Sequence, residues 1–511
     1  MLDEKTIRTE KIKKIREMGI NPYPAKSLRT HICREAIEKF KNAGGENIEA
    51  SEEDIILTGR LRSIRLHGKA IFSDLEDESG KIQLYIKKDT IDANMGEWVK
   101  LNLKQPFEGR GVGEINPFQF FKDFFDMGDF MEAHGTLFKT HQGQITLVVK
   151  NFRMLSKALV SIPTEHFGIK DEEERLRKRY LDILCNPEAK DIVYKKARFW
   201  GSVREFLAEK GFLEVETPVL ENTTGGGDAR PFMTHHNALD LDVYLRISMG
   251  ELWQKRLMVA GFEKTFEIGR QFRNEGMDGE HLQDYTQMEF YWAYADYKMG
   301  MELVEEMFKY IIEKTFGTLK FKMRGFDIDL DRKWETYDYR ETVKEYAGVD
   351  ILDTNLDEIE ARLKELKINY DKNGFNITRG IDNLWKYCRK QIGGPGFLIN
   401  EPLEVSPLAK KDDNNPKIVQ RYHLIIAGSE LANGYSELND PIDQAERFFE
   451  QAKLREAGDE EAQMNDSDFV EALEYGMPPT TGLGISERVF SFFMDKPMRE
   501  CQIFPLMRPK N

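Results

Sequence analysis

Arg273, Glu289 and Tyr291 are a guanidinium, a carboxylate and a phenol that the spacing of the chain puts on one surface. The stretches FEKTFEIGRQFRNEG (262–276) and HLQDYTQMEFYWAYADY (281–297) both alternate with the period of two that marks a strand. In the first, Phe266, Ile268 and Phe272 fall on one face, and Glu267, Gly269, Gln271 and Arg273 on the other. In the second, Met288, Phe290 and Trp292 lie opposite Gln287, Glu289, Tyr291 and Ala293. Paired as a hairpin, they give a polar face with small residues where a flat ligand can lie. Its guanidinium can grip phosphate or carboxylate bidentately. The run NGYSE repeats the device, with Asn433, Tyr435 and Glu437 on one face, and Glu251 precedes a helix-like run. The plain alternative is a half-exposed hairpin with solvated charges, since a short motif alone has a high false-positive rate.

The elements that must hold these residues alternate irregularly. Residues 188–210 and 299–316 read as helices, 421–428 and 431–438 as strands, and 443–457 as an acidic helix. Residues 317–400 read as a mixed helical insertion with no legible chemistry. Strands broken by insertions, without βαβ alternation, point to an antiparallel sheet flanked by helices. Residues 4–24 read as an amphipathic helix with Ile7, Ile12 and Ile15 on one face, ending near Gly19 and Pro22. Between about 54 and 155, five short alternating strands punctuated by glycine suit a small barrel of the OB type, which stacks single-stranded bases on exposed aromatics. KDEEERLRKRYLDIL (170–184) links the two parts and starts a helix. The expected fold class is α+β, with residues 1–157 as helix and barrel, 158–187 as linker and 188–511 as the catalytic part.

A chain of 511 residues normally makes two or three domains, and 40% hydrophobic content supports a sizeable core. No apolar run approaches the ~20 residues of a membrane span, and Met1 does not open a signal peptide. Cys33, Cys185, Cys388 and Cys501 are scattered without a CxxC pair, which argues against disulfides or structural zinc and for a reduced, cytoplasmic setting. Net charge is −15, but residues 1–157 carry 26 Lys+Arg against 24 Asp+Glu, and the rest 48 against 65. An acidic body with a near-neutral amino-terminal module permits basic patches but no strong electrostatic funnel for nucleic acid.

Taken together, the runs resemble class II aminoacyl-tRNA synthetases, and in detail the lysine-specific family among them. The 262–297 hairpin resembles motif 2, GFLEVETPVL (211–220) with Pro218 resembles motif 1, and GLGISERVFSFFMDKPMRECQIFPLMRP (482–509) resembles motif 3. RPFMTHHNALDLDVYLRIS (230–248), EVSPLAKK (404–411), GSELANGYSELNDP (428–441) and EALEYGMPP (471–479) are similar to family runs in the same order. So are GINPYPAK (19–26) and TGRLRSIRLHGKAIFSDLEDESGKIQLYI (58–86), and the likeness covers nearly the whole chain.

That resemblance implies ATP-dependent activation of L-lysine to lysyl-adenylate and its transfer to tRNA(Lys), by a cytoplasmic homodimer of prokaryotic type with no membrane or DNA partner. It assigns Arg273 to the bridge between lysine carboxylate and α-phosphate, Arg488 to the γ-phosphate, and Glu275, His281 and Tyr285 to adenine. Glu289, Tyr291 and Glu437 would hold the ε-ammonium, with Asn433 and Tyr435 beside them. Glu251 and the Gly226 backbone would hold the α-amino group. Phe72, Gln83 and Arg62 would meet the anticodon, and Pro218 the dimer partner. An aspartate or asparagine enzyme would want a cation facing the side chain, and none is expected at these positions.

Mg2+ is expected with ATP, and Glu430 matches one of two acidic family positions, but the other is His423, a poor ligand for this hard cation. Either Glu430 acts with phosphates and water alone, or Asp413 or another acid contributes, or His423 touches phosphate directly. RISMGEL is one residue longer than the family pattern and GLGISER one shorter. Both departures admit a divergent branch or altered amino-acid selectivity, as in an aspartyl- or asparaginyl-type enzyme. A catalytically silent tRNA- or single-strand-binding paralogue is the alternative outside enzymes.

Overall fold

The computed structural model describes residues 3–43, 53–103, 115–163, 169–227, 229–372, 375–403, 406, 408–456 and 463–510. Residues 404, 405 and 407 of EVSPLAKK, 164–168 of the connecting segment and 457 of the acidic helix lie outside them. The chain divides into two compact units, Met1–Ile169 and Lys170–Asn511.

In the first unit β1 (Ile55–His67), β2 (Ala70–Asp77), β3 (Gly80–Lys87), β4 (Phe130–Lys139) and β5 (Ile145–Ser156) close into a barrel in the order β1-β2-β3-β5-β4. Strict alternation explains it. Ile71, Leu75, Ile82, Leu84 and Ile86 point inward and are buried, while Phe72, Asp74, Gln83 and Tyr85 stay on the outer face. The amino-terminal helix is shorter than expected, Glu4–Glu17, because the chain turns at Gly19 with φ +78°. Ile12 and Ile15 are buried as the periodicity demands, but Ile7 is exposed, one turn beyond the covered patch.

In the second unit the strands are β6 (Leu213–Glu214), β7 (Leu220–Glu221), β8 (Met233–His236), β9 (Leu241–Leu245), β10 (Lys264–Phe272), β11 (Asp284–Ala293), β12 (Lys320–Met323), β13 (Phe326–Asp329), β14 (Glu335–Asp338), β15 (Gly396–Ile399), β16 (Arg421–Ile426), β17 (Ser429–Ser436) and β18 (Thr480–Ser486). Among the described residues, eight of them form a sheet in the order β14-β15-β16-β17-β18-β11-β10-β6. It is antiparallel except at its two edges, where β14 pairs β15 and β10 pairs β6 in parallel. The 317–400 segment is therefore more than an insertion: β14 and β15 extend the central sheet, and the helices Tyr339–Ala347, Leu356–Glu365 and Ile377–Cys388 lie between them in the chain.

One face of this sheet is apolar. Phe266, Met288, Phe290, Tyr422, Leu424, Leu483 and Ile485 form a core with Phe199, Val203 and Phe206 of the helix Pro187–Glu209, and with Val304, Met307, Phe308 and Ile311 of the helix Tyr297–Phe316. Asn186 caps the first of these helices through its side chain and Pro187 occupies its first turn. Burying this apolar set forces every alternate side chain onto the opposite face.

Candidate functional site

That opposite face floors a cavity of about 420 Å³. In β10 and β11, Glu267 lies across from Glu289 and Gln271 from Tyr285, so the expected polar face is formed. Strand β18 lies between β11 and β17, with Gly482 facing Tyr291 on one side and Tyr435 on the other, and Gly484 facing Glu289 and Asn433. A Cβ at Gly482 would collide with Glu437 and Tyr291. The glycines of GLGIS thus leave a slot between two rows of polar side chains, which no spacing within either row reveals.

The slot is walled by carboxylates that are almost wholly buried. Glu251, Glu289 and Glu437 are 4%, 5% and 1% exposed, and each needs charged or hydrogen-bonding partners to be tolerated there. Glu289 accepts hydrogen bonds from the Met249 amide (2.9 Å), the Gln287 amide (2.6 Å) and the Tyr291 hydroxyl (2.9 Å). Glu251 heads the helix Glu251–Val259 and accepts from the Tyr435 hydroxyl at 2.5 Å. Glu437 Oε1 is buried without a hydrogen-bond partner. Burial, reinforced by the neighbouring Glu251, pushes the Glu289 carboxyl up to about 7. Burial also pushes Glu437 up, to about 8, against the pull of Lys255.

A cation does stand among these groups, contrary to the sequence-based expectation. Lys255 is wholly buried, with Nζ 2.7 Å from Glu251 Oε1 and 2.5 Å from Glu437 Oε2. Burial alone would discharge it, but the two carboxylates raise its pKa and hold the proton. The Glu251–Lys255 half of this triad is an i,i+4 helix pair and was legible in ELWQK. The reach to Glu437 was not.

Arg273, at the end of β10, donates from Nε to the Ile247 carbonyl (3.3 Å) and lines the cavity near Gly227. Gly226 packs against Ser248 and Glu251. His281 and Tyr285 line the same cavity, whereas Glu275 is exposed and outside it. Arg488 opens the helix Arg488–Phe493 and is ion-paired with Glu280, a residue the sequence did not single out. Asn433 accepts from Arg421 Nε at 2.9 Å.

Glu430 borders the cavity but is already engaged, accepting from Trp385 Nε1 and lying 3.3 Å from Arg389 Nη1. Both partners come from the segment that showed no legible chemistry. His423 Nε2 lies 3.2 Å from Glu401 Oε1, and Arg421 Nε 3.1 Å from Glu401 Oε2. Burial would raise the Glu401 carboxyl, but Arg421 and His423 hold it down at about 2. Among the described residues no group of three His, Cys, Asp or Glu is placed to hold a metal, and Asp413 does not line the cavity. One carboxylate on a cavity wall fits an ion that brings phosphate oxygens and water as its other ligands, as Mg2+ commonly does.

Gly250 of RISMGEL lies in the left-handed region at φ +67°, where a Cβ would strike Thr217. The same turn aims the Met249 amide at Glu289. The shorter GLGISER is anchored by Glu487, whose amide donates to the Thr286 carbonyl and whose carboxylate lies 2.9 Å from Lys196 Nζ.

On the barrel, Phe72 is half-buried on the outer face and stacks on Tyr85, with centroids 4.9 Å apart and planes at 23°. His67 and Phe138 extend the aromatic stripe. Gln83 accepts from the Thr146 hydroxyl at 3.0 Å. Arg62 sits at a bulge of β1 with Nε 2.7 Å from Glu76 Oε2, and Arg65 stands across from Phe72. Pro218 is exposed, as are the nearby apolar Val219, Leu220, Met233 and Leu241. Among the described residues no helix is long and apolar enough to cross a membrane.

Comparison with known proteins follows the same division. The family described as tRNA synthetases class II (D, K and N) matches residues 171–508, and the OB-fold nucleic acid binding domain matches 55–155. The chain is 44% identical to the lysine–tRNA ligase of Thermoanaerobacter sp. over 99% of this chain and 96% of that one. It is 43% identical to that of Thermotoga maritima, over 100% and 97%, and 42% identical to that of Thermosipho africanus, over 98% and 95%.

Proposed function

Since this chain belongs to the class II tRNA synthetases, in the lysine–tRNA ligase family, we propose the following roles for the residues in and around its cavity. The protein is an ATP-using ligase that activates L-lysine as lysyl-adenylate and transfers it to tRNA(Lys). A lysine carboxylate oxygen attacks the α-phosphorus of ATP, the new C–O–P linkage forms, and the α–β bond breaks to release pyrophosphate. The nucleophile is already ionised, so the site's task is alignment and charge neutralisation rather than base catalysis. Arg273 clamps the carboxylate and α-phosphate together. Glu251 and the Gly226 backbone hold the α-amino group, while Glu289, Tyr291 and Glu437 hold the ε-ammonium beside Asn433 and Tyr435. His281 and Tyr285 flank adenine, with Glu275 brought in by the 273–283 loop, and Arg488 takes the γ-phosphate. Glu430 would hold a Mg2+ that enters with ATP and neutralises phosphate charge, with His423 kept beside it by Glu401.

One observation carries the specificity. Three buried glutamates with one fixed lysine among them leave two negative charges for two substrate ammonium groups, and Glu437 Oε1 awaits a donor. An acidic substrate side chain would meet repulsion in the same slot. The outer barrel face, with Phe72, Tyr85 and Gln83, receives the anticodon. The exposed apolar residues beside Pro218 make the contact of a homodimer. As a translation enzyme the protein works in the cytoplasm.

Amino-acid-dependent ATP–pyrophosphate exchange with each of the twenty amino acids tests this reading. Exchange with lysine alone is expected. Exchange with a different amino acid, or with none, would sink it.

A further inference from the structure

A second cavity, of about 280 Å³, adjoins the first and shares Glu280 and Arg488 with it. Its walls add Arg324, Ser491, Phe492 and Lys496, none of which the reaction described above uses. Arg324 stands at the tip of the β12–β13 hairpin, a non-glycine residue with φ +50°. That left-handed conformation is strained for a residue with a side chain and persists only where surroundings enforce it. Here they do: Nη1 donates to Ser429 Oγ at 2.6 Å, and the guanidinium lies 5.2 Å from the centroid of the Phe492 ring. Its other nitrogen, Nη2, reaches Glu280 Oε1 at 2.8 Å, while Arg488 pairs with Glu280 Oε2. One carboxylate is thus gripped by two guanidiniums at the junction of the cavities.

We propose that this junction is the subsite for the terminal phosphate of ATP, with Arg324 as its second ligand opposite Arg488, and that Glu280 occupies it until the nucleotide arrives. The inference rests on the adenylate-forming reaction proposed above. A phosphate presents the same fork-matching oxygens as a carboxylate but more of them and more charge, so it outcompetes Glu280 for two guanidiniums. Arg324 is already oriented by Ser429 and Phe492, so little side-chain freedom is lost when phosphate binds. Removing the Glu280 carboxylate removes a competitor, whereas removing Arg324 removes a ligand. The two substitutions therefore act in opposite directions on the same constant.

The experiment is lysine-dependent ATP–pyrophosphate exchange on the full chain, with calorimetric binding of a lysyl-sulfamoyl adenosine that lacks the β- and γ-phosphates. Arg324→Ala should raise KM for ATP and for pyrophosphate roughly ten- to a hundredfold, the loss expected for a charge-assisted contact. Its KM for lysine and its affinity for the adenylate analogue should not change, and Arg324→Lys should recover part of the loss. Glu280→Gln should lower KM for ATP. Unchanged ATP and pyrophosphate constants in Arg324→Ala would overturn the subsite, as would equal weakening of the adenylate analogue, which would mark Arg324 as merely structural. Absence of exchange in the unaltered protein would overturn the adenylation reading, and the subsite with it.

Discussion

The ammonium of Lys255 lies 2.5 Å from Glu437 Oε2, and both residues are buried. Lys255 therefore sets how much negative charge the slot offers. Glu437→Gln should raise KM for lysine about ten- to a hundredfold, because a charge-assisted contact to the ε-ammonium is lost, while KM for ATP changes little. Lys255→Met should instead cost about 3–5 kcal/mol of folding stability by leaving buried carboxylates uncompensated. Urea titration of the second variant and lysine kinetics of the first separate the two effects; a lysine KM unaltered in Glu437→Gln removes that residue from the site.

Lysine affinity should depend on pH in a definite direction. Glu289 and Glu437 must be ionised to hold an ammonium, and in the free slot they are pushed up to about 7 and about 8. Affinity should therefore rise with pH through that window, and lysine binding near pH 7.5 should release protons, detectable as a buffer-dependent calorimetric enthalpy. These raised values also mean that the folded chain keeps protons the unfolded chain loses near 4.5. Their contribution to stability thus fades as pH climbs from there through 8. A pH-independent lysine Kd between 6 and 9 contradicts this account.

Arg273→Ala should reduce adenylate formation by roughly two to three orders of magnitude, because both anions lose their shared clamp. Single-turnover release of pyrophosphate checks it, and a near-normal rate means that motif 2 has been misassigned.

Phe72→Ala should weaken tRNA without touching the first reaction. Loss of one stacked base is worth about 1–3 kcal/mol, so KM for tRNA should rise roughly five- to a hundredfold while ATP–pyrophosphate exchange stays constant. Equal effects on both steps would place Phe72 in the barrel's fold rather than at the anticodon.

Val219→Asp paired with Leu220→Asp puts charge onto the exposed apolar patch beside Pro218. Sedimentation velocity should show a dimer for the unaltered chain and a monomer for the double variant. The same species in both would assign that patch another role.

Much of this protein was legible in its sequence because period-two alternation is a local property. It put Glu289 and Tyr291 on one face of β11 and Asn433, Tyr435 and Glu437 on one face of the NGYSE run, and burial of Met288, Phe290 and Leu424 then fixed which face meets the cavity. The five barrel strands followed from the same rule. The departures have physical causes too. β14 and β15 joined the central sheet across a long stretch of helix, a pairing that no local period reveals. Glu275 is exposed and outside the cavity, while His281 of the same loop lines it, a difference set by the loop's path rather than by strand parity.

Sequence alone therefore determined the chemistry of the two polar rows and the order of the motifs. Tertiary structure decided what stands between them: a glycine strand that opens the slot, Lys255 reaching from a helix to Glu437, and Arg324 reaching from a distant hairpin to Glu280. Those contacts join residues 182 and 44 positions apart in the chain, read from their numbers. Side-chain period says which face a residue takes, but only the packing of whole elements says which other face it meets.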